Sequence, residues 1–402
     1  MSRKVLILIL KLLFAAALIL FVLSKIDLVD RYEILGKTGK EETVIRRVEG
    51  KIIGNWQARP VRFLEKGSLQ PKELHPGVLP KGRTLALRPG LLTYLKGVNI
   101  PKFLFGALFF FIVATFSSVR WWWLLRVNDL KVRVVEAFRL TWIGIFFNNV
   151  VPGLTGGDVI KAFYIARKTG RKARPIVTVL VDRVLGLAAL AFLAGLVLLF
   201  NFHEFWEVAL GIYVGLLLLA MGAIAYFSRR IRKLLHLDAL LKALPMAQLF
   251  QQLDQAVSFY RHHIAGLAIW FFLSVGNHFL AVLGVALIGD SLGVGVPWTS
   301  YFVLIPVINI VSAVPLTPSG WGVGEALYGF FFKKYCAHFL VGIANAGQVI
   351  ATRAIALSVV YRIHLMLWSL LGAIFLLFER GKAPAPVVPE AREEATSTPR
   401  MG

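Results

Sequence analysis

Cysteine is nearly absent, with the single residue Cys336 in 402, which excludes an internal disulfide and any cysteine-based metal site. Acidic residues are scarce too: 22 Asp and Glu stand against 45 Lys and Arg, a formal net charge of +23. That balance raises nucleic acid as a partner, but no basic, aromatic-bearing soluble domain accompanies it, and nucleic acid is set aside. The Lys and Arg cluster beside apolar runs, where they serve as orientation signals and meet anionic lipid head groups. Also missing are an H-E-x-x-H motif, a Walker A loop and an Asp-rich metal motif, so neither an enzyme nor a cofactor is expected. What abounds is apolar sequence: 57% hydrophobic residues, mean hydropathy +0.70, and several runs near or above 18 residues. These predict an all-α polytopic membrane protein.

Residues 1–23 read as an uncleaved N-terminal membrane helix, since no small-residue cleavage site follows the apolar run. Residues 24–100 lack any apolar span, and short β-type runs there alternate with Gly, Pro and charge. They predict a small strand-rich insert outside the membrane. Its 15 Lys and Arg oppose an external position, yet a segment this long escapes the positive-inside rule, so an extracytoplasmic side is expected. The insert is a docking module for a partner or a spacer. Residues 101–378 form the helical membrane domain, with spans at 101–119, 178–201, 205–227 and 264–288. Arg120 to Trp123 and Arg126 read as an interfacial belt, 234–262 as surface helices, and 338–378 as one broken span or a short helix followed by a full one. The Pro- and Glu-rich stretch 379–402 reads as a disordered tail.

Two stretches break this pattern with the same grammar. Near residues 146–186 and again near 308–329, an apolar run meets Val-Pro, a Gly-rich break, one acid and an amphipathic helix. Pro152 answers Pro315, and Asp158 answers Glu325. A complete crossing at 134–151 would put the basic run from Lys161 to Arg174 outside. A hairpin that dips in and returns resolves the conflict. Three crossings separate the breaks, so the expected fold has about six to eight membrane helices plus two re-entrant helical hairpins of inverted topology.

The string Asn149, Pro152, Gly153, Gly156, Gly157, Asp158 and Lys161, then Asp182 and Arg183, then Pro315, Pro318, Gly320, Gly322 and Glu325 resembles the transmembrane region of the lysylphosphatidylglycerol synthase/flippase family. The resemblance covers 101–378 and departs at two places: Lys161 stands where Arg is usual, and Ser319-Gly320 where Gly-Gly is usual. The insert is additional to the family pattern. Some members also carry a soluble aminoacyl-transferase domain, whereas about 24 residues follow the last span here. The activity implied by the resemblance is therefore the lipid-moving one.

Glycines 153, 156 and 157 would let backbone amides face a cavity, with Lys161 one turn along for an anionic head group. Equally, they would permit tight helix packing. Asp158 would bind or simply cap its helix. Asp182 and Arg183 point about 100° apart on a helix, so each needs another partner. Arg362 is the cation to pair with an acid, while Arg353, His278 and His364 read as packing or interfacial residues. The acids Asp158, Asp182 and Glu325 would also suit a coupling cation. The function expected is a flippase-like transporter of an anionic lipid or lipid-linked amphiphile. The alternative is a non-transporting partner of an envelope-synthesis enzyme, docking through 24–100.

Overall fold

A computed structural model of the chain describes residues 29–38, 41–54, 56, 60–79, 83–150, 156–228, 230, 234, 247–312, 322–340, 343 and 346–379. The N-terminal helix, the tail and the residues Pro152, Gly153, Pro315, Pro318 and Gly320 lie outside these. The helical part comprises α1 (Leu91–Lys96), α2 (Ile100–Val127), α3 (Val134–Val150), α4 (Gly156–Thr169), α5 (Ala173–Phe200), α6 (Trp206–Phe227), α7 (Ala247–Ser258), α8 (Ile264–Ser291), α9 (Trp298–Ser312), α10 (Val323–Cys336) and α11 (Ala346–Glu379). Among the described residues five helical segments are long and apolar enough to cross a membrane: α2, α5, α6, the stretch Gln251–Ser291 that runs from within α7 through α8, and α11. The chain is thus an all-α polytopic membrane protein with a small antiparallel sheet. The region 338–378 resolves into a short 3-10 turn and the single long helix α11.

The order of lengths repeats. Helices α2 to α5 have 28, 17, 14 and 28 residues, and α8 to α11 have 28, 15, 14 and 34. The two sets run in opposite directions. At one end of the bundle the Asn99 amide, just before α2, donates to the Ser291 carbonyl that closes α8 (2.9 Å). At the other, Tyr260 ahead of α8 donates to the Leu124 carbonyl near the end of α2 (3.1 Å). The pair α3–α4 begins and finishes at this second, basic end, where Lys168 meets Glu136 and Arg171 meets Asp129. The pair α9–α10 begins and finishes at the first end, where Lys334 and Tyr335 meet Glu207 in the first turn of α6. Each pair lies beside the long helix that follows it and beside the one belonging to the other set: α5 packs on α4 and α9, α11 on α10 and α3.

Close approaches need glycine. Where α2 crosses α8, a Cβ on Gly106 would sit 2.9 Å from the Gly284 carbonyl, and the reverse holds for Gly284. These small-residue contacts let the helix backbones meet directly.

One expectation for α2 fails. The helix runs on to Val127 rather than ending at 119, which draws Arg120 and Trp121 into the bundle. Trp121 is fully buried and Arg120 nearly so. Only Trp122, stacked under Arg126 at 5.4 Å, keeps the character of a belt.

The insert folds as a six-stranded antiparallel sheet in the order β4-β3-β2-β1-β6-β5: β1 (Asp30–Thr38), β2 (Glu41–Ile53), β3 (Val61–Glu65), β4 (Lys72–Leu74), β5 (Gly77–Leu79) and β6 (Arg83–Arg88). Tyr32, Ile52, Val61, Phe63, Leu74 and Leu85 form its core. Buried Glu33 pairs with Arg47 (2.9 Å) and Arg88 (2.7 Å). Asp30 accepts from the amides of Ile52 and Gly90 (both 2.7 Å) and from Thr93 (2.8 Å), which ties the sheet to α1. Arg353 of α11 then fastens α1 and the sheet to the bundle. It donates to the Val294 carbonyl (3.0 Å) and Tyr94 (3.3 Å) and lies 5.1 Å from the Trp56 ring.

Candidate functional site: three acid and arginine pairs in the bundle

Asp158 is the third residue of α4 and is buried, 6% exposed. Its carboxylate pairs with Lys161 one turn along (2.8 Å) and with Arg183 of α5. Lys161 is packed in place, its ammonium 4.9 Å from the Trp121 ring and its stem against Gly144. Gly157 explains why the helices come so close: a Cβ there would lie 1.8 Å from the Gly144 carbonyl oxygen. Its amide does not face a cavity as expected, but donates to the Asn148 side chain (2.9 Å). Asn149 donates to the Ile145 carbonyl within its own helix (3.1 Å). Gly156 opens α4 and is part-buried.

Glu325 is likewise the third residue of its helix, α10, and is 3% exposed. One carboxylate oxygen accepts from the Gly322 amide (2.6 Å), closing the first turn. The other pairs with Arg362 of α11 and accepts from Ser358 (3.4 Å). Gly322 stands at φ +82°, where a side chain would be strained, and a Cβ on Gly324 would strike the Arg362 guanidinium at 2.2 Å. Glu325 therefore both caps a helix and neutralises a cation on the next long helix.

The partner that Asp182 requires is Arg120. Its Nε lies 2.8 Å from Asp182 Oδ1, a second nitrogen donates to Ser274 (2.8 Å), and Gly186 leaves room for the fork. This clamp joins α2, α5 and α8. The carboxylates Asp158, Asp182 and Glu325 are held by three different arginines, and among the described residues no three His, Cys, Asp or Glu gather as a metal site would need. A shared site for a coupling cation is not what this geometry offers.

Sequence reasoning missed Arg120, Gly144, Asn148 and Gly324. A signal existed for each: an arginine directly behind an apolar run while Asp182 lacked a partner, a lone glycine in the apolar run of α3, the first of two adjacent asparagines, and a glycine directly before Glu325.

Residues 90–363, well over half of the chain, match the family described as the lysylphosphatidylglycerol synthase TM region. The chain belongs to this family. The match covers the whole of α1 to α10 and ends inside α11, one residue past Arg362, so every pair above lies within the family region, while the sheet precedes it. The chain is also 30% identical over 127 residues to the UPF0104 membrane protein PH1989 of Pyrococcus horikoshii, across 31% of this chain and 36% of that one. The matched part thus spans about a third of that relative's length. No solved structure matches.

Proposed function

We propose that this protein moves an anionic lipid or lipid-linked amphiphile between the leaflets of a cell membrane, without enzymatic chemistry. One observation carries the reading: two oppositely directed helix pairs each place an acid at the third residue of a 14-residue helix, paired with an arginine inside the following long helix. Helices of 14 to 17 residues reach about 21 to 26 Å, short of the roughly 30 Å hydrocarbon core. Re-entrant insertion from opposite faces accounts for such lengths, and polar backbone at that depth is tolerated where it lines a cavity. Charged residues inside a membrane are costly and are kept where function needs them.

The basic end, with Lys131, Arg133, Lys168, Arg171 and Lys172, faces the cytoplasm on this reading. The sheet then lies outside an inner membrane. A second reading, a non-transporting partner of an envelope-synthesis enzyme, draws support from a cavity of about 970 Å³ at the joint of sheet and bundle, lined by Lys51, Lys96, Lys102 and Asp290.

The test is a leaflet-resolved lipid assay in reconstituted vesicles. Movement of a fluorescent anionic lipid that is lost in Glu325→Gln and Asp158→Asn supports transport. Equal lipid asymmetry with and without the protein rejects it.

A further inference from the structure

A groove of about 790 Å³ runs between α4 and α5 along the outside of the bundle. Its wall is apolar through Ala162, Phe163, Ala166, Ile176, Val179 and Leu180, and it carries charge at its two ends. At the basic end stand Arg167 and Lys172; at the inner end stand Asp158 and Arg183. Among the described residues neither Arg167 nor Lys172 pairs with an acid. Arg183 is the eleventh residue of α5, about 16 Å along the helix from its start.

The inner cluster is unbalanced. Asp158 is one carboxylate shared by two cations, whereas among the described residues Asp182 meets one cation, Arg120, and Glu325 meets one, Arg362. The two cations also differ in freedom: the Lys161 side chain is 9% exposed and locked beneath Trp121, while that of Arg183 is 44% exposed and opens into the groove. An excess positive charge at membrane depth favours an anion beside it. Arg183 can turn to that anion without stranding Asp158, because Lys161 remains.

We infer that this groove seats one anionic glycerophospholipid, with a chain along the α4–α5 wall and the phosphate first met by Arg167 and Lys172, then by Arg183 as it exchanges Asp158 for the lipid. The inference rests on the lipid-moving reading and adds the head-group charge, the lateral route and the residue that trades partners.

The experiment is native mass spectrometry of the full chain in detergent with an equimolar mixture of phosphatidylglycerol and phosphatidylcholine of the same chains. Bound phosphatidylglycerol should exceed phosphatidylcholine by about tenfold, the weight of one charge-assisted contact. Arg183→Gln, which leaves the Asp158 and Lys161 pair neutral, should reduce the ratio to about two or less. Arg183→Lys should retain most of it. Ala166→Trp should remove both lipids by filling the groove. A ratio near one in the unaltered protein, or one untouched by Arg183→Gln and Ala166→Trp, overturns the inference and marks the groove as filled by ordinary surrounding lipid. Selective binding without translocation would reject transport and keep the groove. Translocation undiminished in Ala166→Trp and Arg183→Gln would reject the groove and keep transport.

Discussion

Gly157→Ala is the smallest change that should pull the first helix pair apart. The added Cβ would lie 1.8 Å from the Gly144 carbonyl oxygen and 2.5 Å from its carbon, and neither side can yield by rotating a side chain. Ordinary contact begins near 3.4 Å, so α3 and α4 must separate by about 1.5 Å along their tightest line. Overpacking of this kind costs about 1–3 kcal/mol. Separation also strands the bond from the Gly157 amide to Asn148, worth about 1 kcal/mol. The expected loss is about 2–4 kcal/mol. Gly144→Ala is milder, since its nearest neighbours lie at 3.1 Å and include the Lys161 stem. Gly215→Ala meets nothing within 4 Å and should raise stability by about 0.5–1 kcal/mol through helix propensity. Thermal unfolding of the three purified variants in one detergent reads the order directly. Gly157→Ala melting at or above Gly144→Ala would refute the backbone contact on which the placement of Asp158 and Lys161 depends.

Other perturbations follow from the charge pairs and the sheet anchor. Glu325→Gln takes the carboxylate from part-buried Arg362 and should cost about 1.5–3 kcal/mol, while the double variant with Arg362→Gln should recover more than half of that; a double-mutant cycle by thermal unfolding reads the coupling, and additive losses would show that the two do not act as a pair. Arg353→Ala removes two hydrogen bonds and the contact with Trp56. It should hasten limited proteolysis between the sheet and α2 by at least about tenfold, a loosening on the order of 1.4 kcal/mol. Arg353→Lys should rescue less than half of the effect, since an ammonium cannot stack and fork at once.

Much of this architecture was readable in the residues because hydrophobicity and length govern it. The runs around 178–201, 205–227 and 264–288 need only apolar composition, and the helices found there differ at their ends by a few residues. The ends slip because a helix continues past its apolar segment wherever its polar residues find partners: Arg120 reads as interfacial until Asp182 and Ser274 are seen to receive it. The insert was legible as strands from its alternation, but its strand order depends on pairings such as that of β1 with β6 that alternation does not encode, and its fastening through Arg353 depends on Tyr94 and Trp56, more than 250 residues away. In the site, the types were legible and the partners were not. Asp182 and Arg183 point apart, which foretold two separate partners, yet only the fold reveals that one faces Arg120 and the other Asp158. The glycines carried two readings. At Gly157 close packing accounts for the residue, whereas the breaks holding Pro152, Gly153, Pro315, Pro318 and Gly320 lie outside the described residues.

The central claim is that the two helix pairs open toward opposite faces of the membrane. Cys336 is buried, so in a Cys336→Ser background single cysteines at Lys131, Lys172, Thr299 and His338, all exposed, can be labelled with a membrane-impermeant maleimide in sealed cells and in inverted vesicles. Lys131→Cys and Lys172→Cys should react from one compartment, and Thr299→Cys and His338→Cys from the other. All four reacting from the same compartment would contradict the account.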